Sequence, residues 1–208
     1  MNIDSGQISQ SPDGTYEMIR LLSTIKKERD SLSIRDYVLF SLYIFTGIRR
    51  NEALFIQLKN YKSQDRLLHL TVTKGGKPRT IVLPEFLSFI VNDYIAFLSV
   101  NVQLSPESYL FHGRRKNTAL SSRQAHLRFD FWKEKSGIRK ELTIQSLRAG
   151  FATMMYRYTE DRQLIAKLLG HSETILTKHY IHLDNSEIRM QLEQAFKPII
   201  TKISRVTQ

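Results

Sequence analysis

RLLHLTVTKGGKPRTIVL, residues 66–83, is where the hydrophobic rhythm of the chain changes from that of a helix to that of a strand. Leu68, Leu70 and Val72 alternate, and Thr80, Ile81, Val82 and Leu83 resume the pattern beyond KGGKPR. Gly75 and Gly76 supply the positive φ angles that a tight turn needs, so the stretch predicts an antiparallel hairpin. On either side the period is helical. Upstream, YEMIRLLSTIKKER (16–29) places Met18, Ile19, Leu22 and Ile25 on one face, with Lys26, Lys27 and Arg29 suiting the negative end of the dipole. IRDYVLFSLYIF (34–45) is apolar almost all round, which predicts a central buried helix that delivers TGIRRNEALFIQL (46–58) to a fixed place.

Downstream, Pro84 opens the helical PEFLSFIVNDYIAFLSV (84–100), since Pro is tolerated in a first turn. SYLFHGRRKN (108–117) reads as a short strand and a basic loop. Ser121 and Ser122 precede a helix to about Lys135 that Gly137 stops, and Thr143 caps another through about Tyr158. Shorter helices are expected over Arg162–Leu169, His171–Ile181 and Ser186–Phe196. Residues 1–15, rich in Ser, Gln, Asp and Gly, read as a flexible tail or linker before a single domain over 16–208. The fold class is therefore mainly α with a small antiparallel β-sheet (α+β), without internal repeats.

Composition narrows the partner. The 208 residues carry 31 Lys and Arg against 20 Asp and Glu, a formal charge of +11 that suits a polyanion such as nucleic acid. No basic amphipathic segment or lipidation motif points to a membrane surface instead. Cys is absent, which excludes disulfides, cysteine-ligated zinc and a thiol nucleophile. The polar start and the lack of a run of about 20 apolar residues predict a cytoplasmic protein.

The residues that carry chemistry begin with LLGHSETILTKHYIHL (168–183), where Tyr180 follows His171 by nine positions. A tyrosine phenolate can attack a phosphodiester and hold the product covalently, although buried Tyr and His more often only satisfy hydrogen bonds. Such an attack builds negative charge on the nonbridging oxygens, and paired guanidiniums match that geometry best. Arg49, after Thr46 and Gly47 at a helix start, and Arg148, one turn into the Thr143 helix, are the candidates; the alternative for each is a surface or ion-paired arginine. His179 and His182 stand one helical turn apart, but no HExxH or further ligand box supports a metal, and no GxxxxGK[ST] cradle supports ATP.

Five boxes, TGIRRNEAL (46–54), TKGGKPRTIVLP (73–84), LTIQSLRAGFAT (142–153), LLGHS (168–172) and TKHYIHL (177–183), occur in the order and approximate spacing of the tyrosine recombinase, or phage integrase, catalytic domain. The chain resembles that family from about Tyr16 to Phe196. The resemblance implies that Tyr180 forms a 3′-phosphotyrosyl link and releases a 5′-hydroxyl, and that Arg49 and Arg148 clamp the scissile phosphate. Glu52 would orient the clamp, Lys74 would protonate the leaving 5′-oxygen with Lys77 as its rival, and His171 would donate to the phosphate. One box departs: the family usually has His where this chain has Gln145, which donates a hydrogen bond but carries no proton near neutral pH. Neither a metal nor another cofactor is implied.

Lys59, Lys62, Lys77, Arg79, Arg114, Arg115, Lys116, Arg123, Arg128 and Lys133 could track a DNA backbone, the cluster Arg114–Lys116 first among them. The resemblance further implies a site-specific DNA recombinase or integrase, self-associating on double-stranded DNA as a synaptic tetramer, with a monomer open to it in the absence of DNA, and nucleoid-associated. A catalytically impaired DNA-binding regulator on the same fold, and a type IB topoisomerase-like nicking-closing enzyme, are the alternatives. The short segment before Tyr16 fits a naturally short recombinase or a catalytic part trimmed of an N-terminal DNA-binding domain. The closing SEIRMQLEQAFKPIITKI (186–203) offers Ile188, Leu192 and Phe196 on one apolar face, to a neighbouring protomer or to its own domain.

Overall fold

The computed structural model describes residues 14–71, 78–113, 118–138, 141–170 and 184–206. Among these, the elements run α1 (Thr15–Lys27), α2 (Ser31–Thr46), α3 (Arg50–Leu54), a 3-10 turn (Leu58–Asn60), β1 (Tyr61–Lys62), β2 (Leu67–Leu70), β3 (Arg79–Val82), α4 (Glu85–Asn101), α5 (Ser122–Lys135), α6 (Ile144–Thr159), α7 (Arg162–Leu169) and α8 (Asn185–Val206). The mainly helical architecture with a small antiparallel sheet is the one expected. Helix α2 is central as its uniform hydrophobicity requires: it packs against α1, α4 and α6, and Leu39, Phe40, Leu42, Tyr43, Ile44 and Phe45 are buried.

The sheet has the order β1-β2-β3, both pairs antiparallel. Strand β1 was not legible as a strand, because two residues are too short to show a period. Leu68 faces Ile81 and Leu70 faces Arg79, so these four residues share one face of the sheet. Among the described residues 108–113 there are single bridges where a short strand was expected, Gln57 with Tyr109 and His112 with Ala119, and the expected basic loop at 114–117 lies outside the described residues.

Helix ends follow their caps. Asp30 accepts from the amides of Leu32 and Ser33 at 2.9 and 3.1 Å, Ser121 from Gln124 at 3.1 Å, Thr143 from Ser146 at 3.1 Å, and Asp161 from Gln163 and Leu164 at 2.9 Å each. The last helix outruns its expected end, continuing through Pro198 to Val206. Proline removes one helical hydrogen bond, but the apolar stripe goes on through Ile199 and Ile203, both buried, and that burial offsets the loss. Helix α8 packs on its own domain, against α1, α6 and β3, with the Phe196 ring 5.1 Å from Phe45 and 6.0 Å from Phe151. The expected helix over His171–Ile181 lies outside the described residues. Among those described, no helix is long and apolar enough to cross a membrane.

One ion cluster ties α5 to α2. Asp36, fully buried, accepts from Arg35 at 2.8 Å, from Arg128, and from the Trp132 indole at 2.8 Å. Arg128, counted above among possible DNA contacts, is thus engaged inside the fold, its guanidinium also lying 4.8 Å from the Phe131 ring centre. Replacing Asp36 leaves two guanidiniums and an indole N–H facing an uncompensated interior. We expect Asp36→Ala to lose about 3–5 kcal/mol in denaturant unfolding, whereas Glu28→Ala, which breaks the exposed pair with Lys135, loses less than about 1 kcal/mol.

Candidate functional site

Two glycines and a short helix set the stage. Helix α2 ends at Gly47 with φ 60°, and a Cβ there would lie 2.6 Å from Phe151 and 2.7 Å from Leu169. Thr46 fastens the turn: its hydroxyl donates to Leu42 at 2.7 Å and accepts from the Ile48 amide at 3.2 Å. The chain then enters α3 with Arg49 as its N-cap residue. Helix α7 likewise ends at Gly170, φ 64°, where a Cβ would stand 2.5 Å from Arg79 Cδ.

Glu52, 3% exposed, sits in the first turn of α3 and organises the cations. Its Oε2 accepts from the Arg49 amide at 3.0 Å and from Arg79 Nη2 at 2.8 Å; its Oε1 accepts from Arg49 Nη1 at 2.9 Å. Burial pushes this carboxyl up, but the hydrogen bonds from Arg79 and Arg49 and the Arg79 charge outweigh it, so the group is held below its ordinary value of 4.5.

Arg148, 7% exposed, projects from the second turn of α6 to the junction of α2 and α7. It donates to the Gly47 carbonyl and, through Nη2, to the Leu169 carbonyl at 2.8 Å. Burial first, then the charges of Arg49 and Arg79, lower its pKa to about 10 against the pull of Glu52, leaving a full charge at neutral pH. Arg49 Nη2 reaches the Gly170 carbonyl at 3.5 Å and Arg79 Nη1 the Leu168 carbonyl at 2.8 Å. Three guanidiniums therefore meet three successive carbonyls at the end of α7, with one carboxylate between them. The excess positive charge suits an anion, and Arg49, with 28% of its side chain exposed, is the most open of the three.

Of the residues singled out from sequence, Arg49, Glu52, Arg79 and Arg148 come together here. Arg79, expected on the outer DNA-tracking surface, is turned inward instead. Its place on the sheet face of Leu68, Leu70 and Ile81 is the signal that could have found it, because an arginine in phase with a buried strand pattern is seldom solvated. Gln145 is exposed on the first turn of α6, and Arg123 on the first turn of α5, where Arg50 Nη1 also approaches His126 Nδ1 at 3.4 Å. Lys74, Lys77, Arg114, Arg115, Lys116, His171 and Tyr180 lie outside the described residues.

A model of the phage integrase family matches residues 15–187. The tyrosine recombinase XerH of Campylobacter jejuni is 28% identical over 165 residues, covering 78% of this chain and 45% of that protein. The tyrosine recombinase XerC of Haemophilus influenzae is 26% identical over 194 residues, covering 93% of this chain and 60% of its own length. The chain thus spans about half of these relatives. Among solved structures, the XerH site-specific recombinase bound to its difH substrate in a pre-cleavage complex superposes with a TM-score of 0.64 at 24% identity, over 76% of this chain and 46% of that one.

Two outcomes follow from the geometry. Because the folded-state pKa of Glu52 is depressed, its contribution is fully present above pH 4.5 and disappears as pH falls through the folded value. The stability gap between the wild type and Glu52→Gln, measured by urea unfolding, should therefore be constant near neutrality and shrink on acidification below that point. Gly170→Ala meets both a positive φ and the Arg79 side chain, and should lower stability by about 1–3 kcal/mol, read as a reduced melting temperature.

Proposed function

Because the chain belongs to the phage integrase family of tyrosine recombinases, we propose that it is a site-specific DNA recombinase catalytic domain, spanning 16–208, that cleaves and rejoins strands through a 3′-phosphotyrosyl intermediate. The observation that carries this reading is the convergence of Arg49, Glu52 and Arg148 at the carbonyls of Leu169 and Gly170, one residue before His171.

In the proposed reaction the Tyr180 oxygen attacks the scissile phosphorus as its proton leaves. The new Tyr–O–P bond replaces the P–O5′ bond, and Lys74 gives a proton to the departing 5′-oxygen. Arg49 and Arg148 neutralise charge that grows on the nonbridging oxygens, and His171 donates to one of them. Rejoining reverses the step with a new 5′-hydroxyl, so phosphodiester energy is conserved and no nucleotide is needed. Gln145 stands at the place of a proton-carrying residue, which leaves water or another side chain to accept the tyrosine proton and makes cleavage slow. The amide of Gln145, which neither takes nor gives a proton near neutral pH, also supports the second reading, a DNA-binding regulator that keeps the clamp without the chemistry. DNA is the proposed partner, with self-association into a synaptic tetramer on it, in the cytoplasm at the nucleoid.

The test is covalent trapping on a nicked duplex whose sequence has been selected from a random pool by Tyr180→Phe protein. The wild type should accumulate a protein–DNA adduct, and Tyr180→Phe should bind with unchanged affinity and form none. Gln145→His should speed adduct formation by about 10²-fold, the ordinary gain from one general acid or base. Binding by the wild type without any adduct would establish the regulator reading, and relaxation of supercoiled plasmid without a specific site would establish a topoisomerase.

A further inference from the structure

Arg79 does not belong with the surface cations. It begins β3 opposite Leu70, with 14% of its side chain exposed. Both arms of its fork are taken within the protein: Nη2 by Glu52 Oε2 at 2.8 Å and Nη1 by the Leu168 carbonyl at 2.8 Å. Its Nε is buried with no hydrogen-bond partner, and Gly170 packs so closely that a Cβ there would stand 2.9 Å from it. The fork is thus anchored inside the protein at both ends, to a buried carboxylate and to a helix-end carbonyl.

Its two partners are informative. Glu52 is the carboxylate that also grips Arg49, and Leu168 O is the first of the three carbonyls whose successors, Leu169 O and Gly170 O, receive Arg148 and Arg49. The last carbonyls of a helix have no intrahelical donor and carry partial negative charge, so each guanidinium pins the end of α7 as well as being pinned by it. In the sequence Arg79 follows Lys74 by five residues.

We propose that Arg79 is a positioning residue for strand cleavage: a two-armed strut from the sheet that holds Glu52 behind Arg49 and the end of α7 beneath Arg49 and Arg148. It touches no substrate. It acts by keeping the two clamping guanidiniums in one arrangement. The inference rests on the recombinase reading above.

The experiment compares wild type, Arg79→Ala and Arg79→Lys on the selected nicked duplex, each below its own unfolding temperature. Affinity, its salt dependence and the single-turnover rate of adduct formation at saturating protein are measured separately. Displacing the clamp by about 1 Å should slow Arg79→Ala roughly 100-fold, with affinity within about twofold and an unchanged salt slope. Arg79→Lys keeps the charge but loses the fork, and should regain less than about a tenth of the rate. Glu52→Gln should cost less rate in the Arg79→Ala background than it costs in the wild type, because the Glu52–Arg79 link is then already broken and only the Glu52–Arg49 link remains to be lost.

A wild-type rate in Arg79→Ala, or full rescue by Lys, overturns the proposal. So does a fall in affinity matching the fall in rate with a shallower salt slope, which would make Arg79 a phosphate contact. If the wild type forms no adduct, the recombinase reading fails on its own, and hydrogen exchange of the free protein decides the strut: selective loss of protection at 168–170 in Arg79→Lys supports it, and unchanged protection overturns it.

Discussion

A single buried carboxylate orders the site. Glu52 accepts from the Arg49 amide, the Arg49 guanidinium and the Arg79 guanidinium, and so brings a short helix, a strand and the end of α7 to one place. Helix α3 has only five residues, too few to hold itself in water. What fixes it is its junction with α2 on one side and this ion network on the other. The same carboxylate lets cations gather that would otherwise repel, while remaining too weak in charge to neutralise them all. The remainder is the positive field that an incoming phosphate would meet.

The arrangement depends equally on where two helices stop. Gly47 and Gly170 both take left-handed φ angles, end α2 and α7, and leave carbonyls free at the point where Arg148 arrives from α6. Holding a guanidinium among other cations in a partly buried setting is unfavourable, and the depressed pKa of Arg148 records it. The backbone oxygens offset part of that penalty without adding negative charge to the site. An anion bound there would offset more, which is how a preorganised clamp favours a transition state richer in charge than the ground state.

Away from the site the same logic of paired burial recurs with a different purpose. Asp36 is surrounded by Arg35, Arg128 and Trp132 in a network among aromatic rings, and it joins α5 to α2. Two guanidiniums share one carboxylate there, whereas Arg49, Arg79 and Arg148 gather around Glu52 alone. Helix α8 closes the other side of the core through Ile188, Leu192, Phe196, Ile199 and Ile203, so its apolar stripe is spent within the chain. The difference between a structural ion cluster and a candidate site thus lies in charge balance and access, which residue type alone does not reveal.

Much of this was legible in the amino-acid order. Hydrophobic period determined which stretches are helices and which form the hairpin, because period reports the face each residue turns to the core. Cap residues and glycines placed most ends, and Arg49, Glu52 and Arg148 could be named from the motifs that contain them. What period could not set was any end decided by long-range burial, as in the continuation of α8 through Pro198, or a strand as short as β1. Only the tertiary structure decided that Arg79 and Arg128 point inward while Arg123 faces solvent. Whether a charged side chain is solvated or paired depends on groups far away in sequence, Glu52 and Leu168 for one, Asp36 for the other. Those partners meet only when helices and sheet pack, and that meeting turns scattered arginines into a site.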